Sequence, residues 1–205
     1  MVNILHIDSS PRGERSHSRE LSKEFVSAWR AAHPEDAIAY RDLGHHPVPH
    51  VDEAWIAASF SPPETHTPEL TEALKISNQL VNEFLAADRY VFGVPMYNFN
   101  IPSTFKAYID QIVRPNRTFA MDAQGLRGLV QGKKAVIITA RGSDFSATSP
   151  YAPYDFQEPY LRTIFGFIGL TDIQFINANS LNEGDARSKS LAQARVEIQN
   201  LIDQW

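Results

Sequence analysis

Apolar and polar positions follow two rhythms along this chain. Val2–Asp8, Arg89–Val94 and Ala135–Ala140 are short, nearly continuous apolar runs of the kind that form buried strands. Weaker runs at Ala37–Leu43 and Asp172–Asn177 bring the expected strands to five. Between them, apolar residues recur every three or four positions. Leu21, Phe25, Ala28, Trp29 and Ala32 mark an amphipathic helix from Ser18 to about Ala32. Leu70, Leu74, Val81, Phe84 and Leu85 mark a second one. Ser103–Val113 forms a third, with Pro102 where its missing N–H does no harm. Glu158–Leu170 and Ala186–Trp205 supply two more. Residues 44–67 are rich in Pro and His and read as a long loop with a short helical piece at Glu53–Ser59.

Strict alternation of strand and helix implies a parallel sheet covered by helices on both faces. The expected class is therefore α/β, a doubly wound five-stranded parallel sheet of order 2-1-3-4-5. No repeat, low-complexity tract or linker divides residues 1–205, so one domain is expected. Such sheets hold ligands beyond the carboxyl ends of the strands, where the strand order reverses. That directs attention to Ser9–Ser18, Pro95–Ile101 and Arg141–Ser149.

Composition narrows the chemistry. The 205 residues contain no cysteine, which excludes disulfides, thiolate metal sites and thiol redox chemistry. Any redox work must then rest on a bound cofactor. With 19 basic and 24 acidic side chains the net charge is −5, the wrong sign for a nucleic-acid partner. No apolar run approaches the ~20 residues of a membrane span, so no membrane partner is expected. The start, MVNILHIDSSPRG, lacks a charged leader and apolar stretch, and the expected setting is cytoplasmic. In that setting the sequon Asn116-Arg117-Thr118 is a chance match. Gly128–Lys134 resembles a P-loop but has only three residues between its glycines and precedes a strand, so it reads as a turn.

The first candidate loop carries four serines and two arginines just before a helix, where free N–H groups attract a phosphate. Its lone Gly13 does not make the G-x-G-x-x-G dinucleotide fingerprint. The second, Pro95-Met-Tyr-Asn-Phe-Asn-Ile-Pro102, is stiffened by two prolines and puts Tyr97 and Phe99 where loops are usually polar. A flat aromatic ligand with a hydrogen-bonding rim suits that wall. Arg141-Gly142-Ser143 offers a further small backbone surface.

S-S-P-R-G…S-x-S after the first strand, P-M-Y-N-F-N-I-P after the third and T-A-R-G after the fourth together resemble one family. This is the FMN-dependent NADH-azoreductases, relatives of the NAD(P)H:quinone oxidoreductases within the flavodoxin-like fold. The resemblance spans essentially the whole chain. It implies bound FMN, with NADH or NADPH as co-substrate and quinones or azo compounds as acceptors in two-electron ping-pong transfer. It also implies that Ser10, Ser16, His17 and Ser18 hold the FMN phosphate. Met96, Tyr97, Asn98 and Phe99 would line the flavin ring, with Ala140, Arg141, Gly142 and Ser143 at its other edge. The catalytic centre would be the flavin itself, so no side chain is assigned as acid or base. The family forms homodimers whose partner chains roof the substrate pocket; Phe167 matches one roof position, and Met121 stands where an aromatic is common. Tyr151, Tyr154 and Phe156, in the stretch 143–157, are further candidates to cover it. Arg127 or Arg187 is a candidate for meeting a 2′-phosphate on the nicotinamide co-substrate.

Two other readings compete. A flavodoxin-type FMN electron carrier, without a small-molecule substrate, would be a monomer and more acidic. A metal hydrolase could be imagined on His45, His46, His50 and His66, but these lie in a Pro-rich loop without a fixed helical face, and no metal is expected.

Overall fold

The computed structural model describes residues 1–123, 125–202 and 204–205. Five parallel strands form the main sheet: β1 (Asn3–Asp8), β2 (Ala37–Asp42), β3 (Arg89–Pro95), β6 (Lys134–Ala140) and β7 (Asp172–Ala178), in the order β2-β1-β3-β6-β7. Counted as sheet strands this is the expected 2-1-3-4-5. Two further strands, β4 (Phe119–Asp122) and β5 (Gly125–Gly128), pair antiparallel as a separate hairpin.

The helices are α1 (His17–Ala32), α2 (Glu53–Ser59), α3 (Pro68–Ala73), α4 (Lys75–Ala86), α5 (Ser103–Ile112), α6 (Gln157–Phe167) and α7 (Gly184–Ile202). The period-two alternation of strand side chains splits the core in two. Leu5, Ile7, Phe92 and Ile137 face α4, α5 and α6, packing on Phe84, Phe105 and Phe165. Ile4, Val91, Val136 and Ile176 face the other way, onto Leu21, Phe25 and Trp29 of α1 and Ile198 of α7.

Two local departures from the sequence reading have clear causes. The helix expected from Leu70 to Leu85 is two helices. Thr67 caps α3 by accepting from the Leu70 amide at 3.3 Å, and at Leu74 the backbone flattens to ψ −4°, which re-aims the chain before α4. Leu74 is thereby buried against Trp55 and Ala58 in a small third cluster under the long loop. The β4–β5 hairpin has no counterpart among the elements expected from the sequence. Its strands are four residues each and largely exposed, so they carry no apolar run to betray them. What holds the hairpin is tertiary: Phe119 packs on Phe167 with ring centroids 4.9 Å apart, and Gly128 lies against the backbone of Gly169.

At the β1–β2 edge a polar cluster fastens α1 to the sheet. The parallel register sets His6 beside Tyr40 and Asp8 beside Asp42 on the α1 face. Buried Asp8 accepts from the Ser22 hydroxyl at 2.8 Å and from the Tyr40 hydroxyl at 3.1 Å. Arg19 bridges to Asp42 and donates to Tyr40 Oη at 2.9 Å. Gly93 makes this approach possible, because a Cβ there would lie 2.1 Å from Asp8 Oδ1 and 3.0 Å from Ser22 Oγ.

Candidate functional site

The β1–α1 loop enters the helix through Ser16, whose hydroxyl accepts from the Arg19 amide at 3.4 Å. One oxygen caps only one of the free amides in a first turn. Among the described residues no acceptor meets the His17 or Ser18 amide, so both remain at the positive end of the helix dipole. Ser16 and Ser18 share a hydrogen bond between their hydroxyls at 3.2 Å. Ser10 is buried, and its hydroxyl accepts from the Arg12 amide at 3.3 Å. The His17 ring sits 3.4 Å from Glu20.

The β3–α5 loop makes a tight turn in which Tyr97 and Asn100 exchange backbone hydrogen bonds at 2.8 and 3.0 Å. Its two central residues, Asn98 and Phe99, have φ of 49° and 68°. Asn tolerates this left-handed region; an aromatic side chain does so at a cost of roughly 1–2 kcal/mol. Such strain persists only where the surroundings hold it. Here the Phe99 ring packs on Phe145 and Tyr154, with centroids 6.3 and 5.5 Å away.

The third loop is anchored from beneath. Arg141 is only 2% exposed and reaches Gln157 Oε1 at 3.0 Å, Asp155 at 3.2 Å and Glu158 at 3.7 Å. Burial lowers the Arg141 pKa, and the two carboxylates oppose that shift. Its Nη2 has no hydrogen-bond partner. Gly142 lets the chain pass close to Asn182, whose Nδ2 would lie 2.5 Å from any Cβ added there.

These loops enclose a pocket of about 290 Å³ beyond the carboxyl ends of β1, β3 and β6. Of the residues expected from sequence, Ser10, Ser16, His17, Met96, Tyr97, Ala140, Arg141 and Gly142 line it. Ser18 lies behind Ser16. Tyr97 also lines an adjoining groove of about 500 Å³, which holds Asn98 as well. Phe99 and Ser143 line neither of these two spaces. Met121 projects from the hairpin, 74% exposed, opposite Leu126, and Phe167 packs under Phe119; neither reaches the pocket of its own chain.

Arg12 and Pro95 also line the strand-end pocket, from two of the loops the sequence singles out; Leu181 and Asn182 were not anticipated, and Arg187 was an open alternative to Arg127. Arg187 is drawn in by donating to the Leu181 carbonyl at 2.7 Å. Arg127 is instead on the hairpin, 3.8 Å from Asp122. Leu181 and Asn182 come from the segment after β7, which carries no motif; only the closure of the sheet brings it alongside β6. The histidines of the Pro-rich loop do not converge. His45 bonds Asp42 at 2.8 Å, His66 bonds Ser61, and among the described residues no group of three His, Cys, Asp or Glu is arranged to hold a metal ion. Among the described residues, no helix is long and apolar enough to cross a membrane.

Comparison with known proteins agrees with this architecture. A family model described as a flavodoxin-like fold matches residues 2–202. The FMN-dependent NADH:quinone oxidoreductase of Nostoc punctiforme is 86% identical over 205 residues, covering 100% of both chains. The FMN-dependent NADH:quinone oxidoreductase 2 of Trichormus variabilis is 64% identical over 207 residues, again covering 100% of both. Among solved structures, an azoreductase from Bacillus anthracis superposes with a TM-score of 0.93 at 27% identity, covering 100% of each chain. An FMN-dependent NADH-azoreductase from the same species, in complex with FMN, superposes with a TM-score of 0.89 at 25% identity over 98% of each. A chain with this sheet order, these strand-end loops and relatives this similar over its whole length belongs to the flavodoxin-like family of FMN-dependent NADH:quinone oxidoreductases and azoreductases.

Proposed function

We propose that residues 1–205 act as one FMN-binding domain that oxidises NADH and passes two electrons to a quinone or an azo compound. The observation that carries this reading is the pocket at the strand-order reversal, where uncapped helix amides meet an aromatic turn. The residues present fit FMN. A phosphate would take the free amides of His17 and Ser18 and the hydroxyls of Ser10 and Ser16, with Arg12 at the mouth. Tyr97 and Met96 would lie along a flat ring, and the Asn98 and Phe99 amides, which have no acceptor among the described residues, would face its polar edge. The buried Arg141 guanidinium lines the pocket, with Nη2 3.7 Å from Glu158 and without a hydrogen bond, and would add fixed positive charge near that edge. Bound FMN would supply hydride acceptance from NADH and two-electron return to the acceptor. The protein's part is orientation and exclusion of water.

A second copy of the chain would complete the site. Met121, Leu126 and Phe167 are apolar, lie on or beside the hairpin and line neither the strand-end pocket nor the adjoining groove of their own chain, so they suit the roof over a partner's flavin. The cytoplasm, where NADH is available, is the expected setting. The test is direct. Protein purified with its flavin is denatured to identify FMN, then assayed for NADH oxidation with menadione and with a simple azo dye. Sedimentation is expected to give twice the mass of the chain. A flavin-loaded protein that oxidises NADH with neither acceptor would overturn the enzymatic reading; a monomer with full activity would overturn the shared roof.

A further inference from the structure

A larger cavity, about 640 Å³, lies on the far side of α1 from the sheet interior, between that helix and the β1–β2 edge. Only Ser16 is common to it and the pocket at the strand ends. Edge strand β2 has no helix beyond it on the α1 face, so Ile38 and Tyr40 stay partly open there. Tyr40 is 53% exposed, yet its ring is not free to turn. Its hydroxyl donates to Asp8 and accepts from Arg19, and the His6 ring backs it with centroids 4.9 Å apart. Burial and the neighbouring Asp8 carboxylate push the Tyr40 hydroxyl up to about 12, so it remains a donor at any ordinary pH. A pinned aromatic wall facing Val26 and Ile38 is apolar surface that the fold leaves uncovered and already ordered.

The charges around it are unequal. Arg19 is occupied by Asp42 and Asp8, and Glu20 by Arg195 at 2.6 Å. Lys23 and Arg30 also line the cavity, are exposed, and make no ion pair among the described residues. They stand seven residues apart on α1, about 10 Å along the axis, with Val26 between them. Glu14, also without a partner among the described residues, lies at the opposite end beside Gly13. Two free cations flank an apolar floor, and Glu14 toward the other end sets a polarity along the groove.

We propose that this groove is a second small-molecule site, which takes an aromatic organic anion. The ring system lies over Tyr40, Ile38 and Val26, and the acid group meets Lys23 and Arg30, away from Glu14. The cavity's volume is that of sites for drug-sized ligands, and Val26, Ile38 and the Tyr40 ring give it an apolar wall, with Glu14 toward one end and Lys23 and Arg30 toward the other. Because Tyr40 is already fixed, little ordering opposes binding.

The test uses FMN-loaded protein and calorimetric titration with naphthalene-2-carboxylate, alongside the uncharged 2-naphthalenemethanol. The acid is expected to bind at one site per chain, more tightly than the alcohol and less tightly as salt is raised. Lys23→Glu/Arg30→Glu is expected to weaken it at least tenfold while leaving NADH oxidation unchanged, since both residues are exposed and outside the strand-end pocket. Tyr97→Ala, at the strand-end pocket, is expected to leave the acid's affinity as it was. No binding of the acid, equal binding of acid and alcohol, or binding that survives the charge reversal and disappears in Tyr97→Ala would each overturn the proposal.

Discussion

The Phe156 amide donates to the Phe99 carbonyl at 3.1 Å. This bond ties the segment before α6 to the strained turn after β3, and the ring contacts of Phe99 with Phe145 and Tyr154 close over the same join. The turn's geometry is thus held by residues some 50 positions away in sequence.

Phe99→Gly separates strain from contact. Glycine adopts the left-handed region freely but loses more entropy on folding, so stability should change by less than about 1 kcal/mol. Two aromatic contacts disappear, and FMN affinity should fall by about tenfold. Thermal melting and quenching of FMN fluorescence check the two halves. A large loss of stability with FMN affinity intact would mean the aromatic cluster serves the scaffold instead.

Gly93→Ala should destabilise the protein by about 1–3 kcal/mol, because the added methyl meets Asp8 Oδ1 where Ser22 and Tyr40 already hold it. Urea unfolding measures this. An unchanged midpoint would show that Asp8 can move aside at no cost.

The Arg19–Asp42 pair predicts a pH dependence. Burial raises the Asp42 pKa, but hydrogen bonds from Arg19 and His45 outweigh it and hold the carboxyl well below the usual range. A depressed folded-state pKa means the stabilisation is complete above the unfolded value of about 3.9 and fades as pH falls below it. Asp42→Asn should therefore cost about 1–3 kcal/mol at pH 7. The gap between parent and variant should narrow steadily below about pH 4. Denaturant curves from pH 7 to pH 3 test it, and a gap that widens on acidification would refute the assignment.

Arg141→Met keeps volume but leaves Asp155 and Glu158 facing a neutral side chain. A loss of about 3 kcal/mol is expected, as for other broken buried pairs. Adding Asp155→Asn should restore part of it, since that carboxylate no longer needs a partner. Simple additivity of the two losses would show that the 3.2 Å contact carries no coupling.

The order of elements, the sheet class and the three strand-end loops were legible in the sequence because each depends on neighbours within a few residues. Apolar period distinguishes β3 from α5 locally, and the aromatics and prolines of the 95–102 loop are unusual wherever they fall. The sheet order then locates the pocket by a general rule, and most of its lining residues fall in those three loops. The β4–β5 hairpin, the break at Leu74, the lining residues Leu181 and Asn182 and the choice of Arg187 over Arg127 were not legible. Each exists because of a contact between distant segments: Phe119 on Phe167, Leu74 under Trp55, the post-β7 segment beside Gly142. The same holds for the left-handed Phe99 and for the division of the arginines, of which Arg19 is consumed by carboxylates, Arg141 is buried under a loop and Arg30 is left free on a groove wall. Local pattern determines which segments are strand or helix; only packing in three dimensions decides which charges are neutralised, which strain is held, and which surfaces remain open to a ligand.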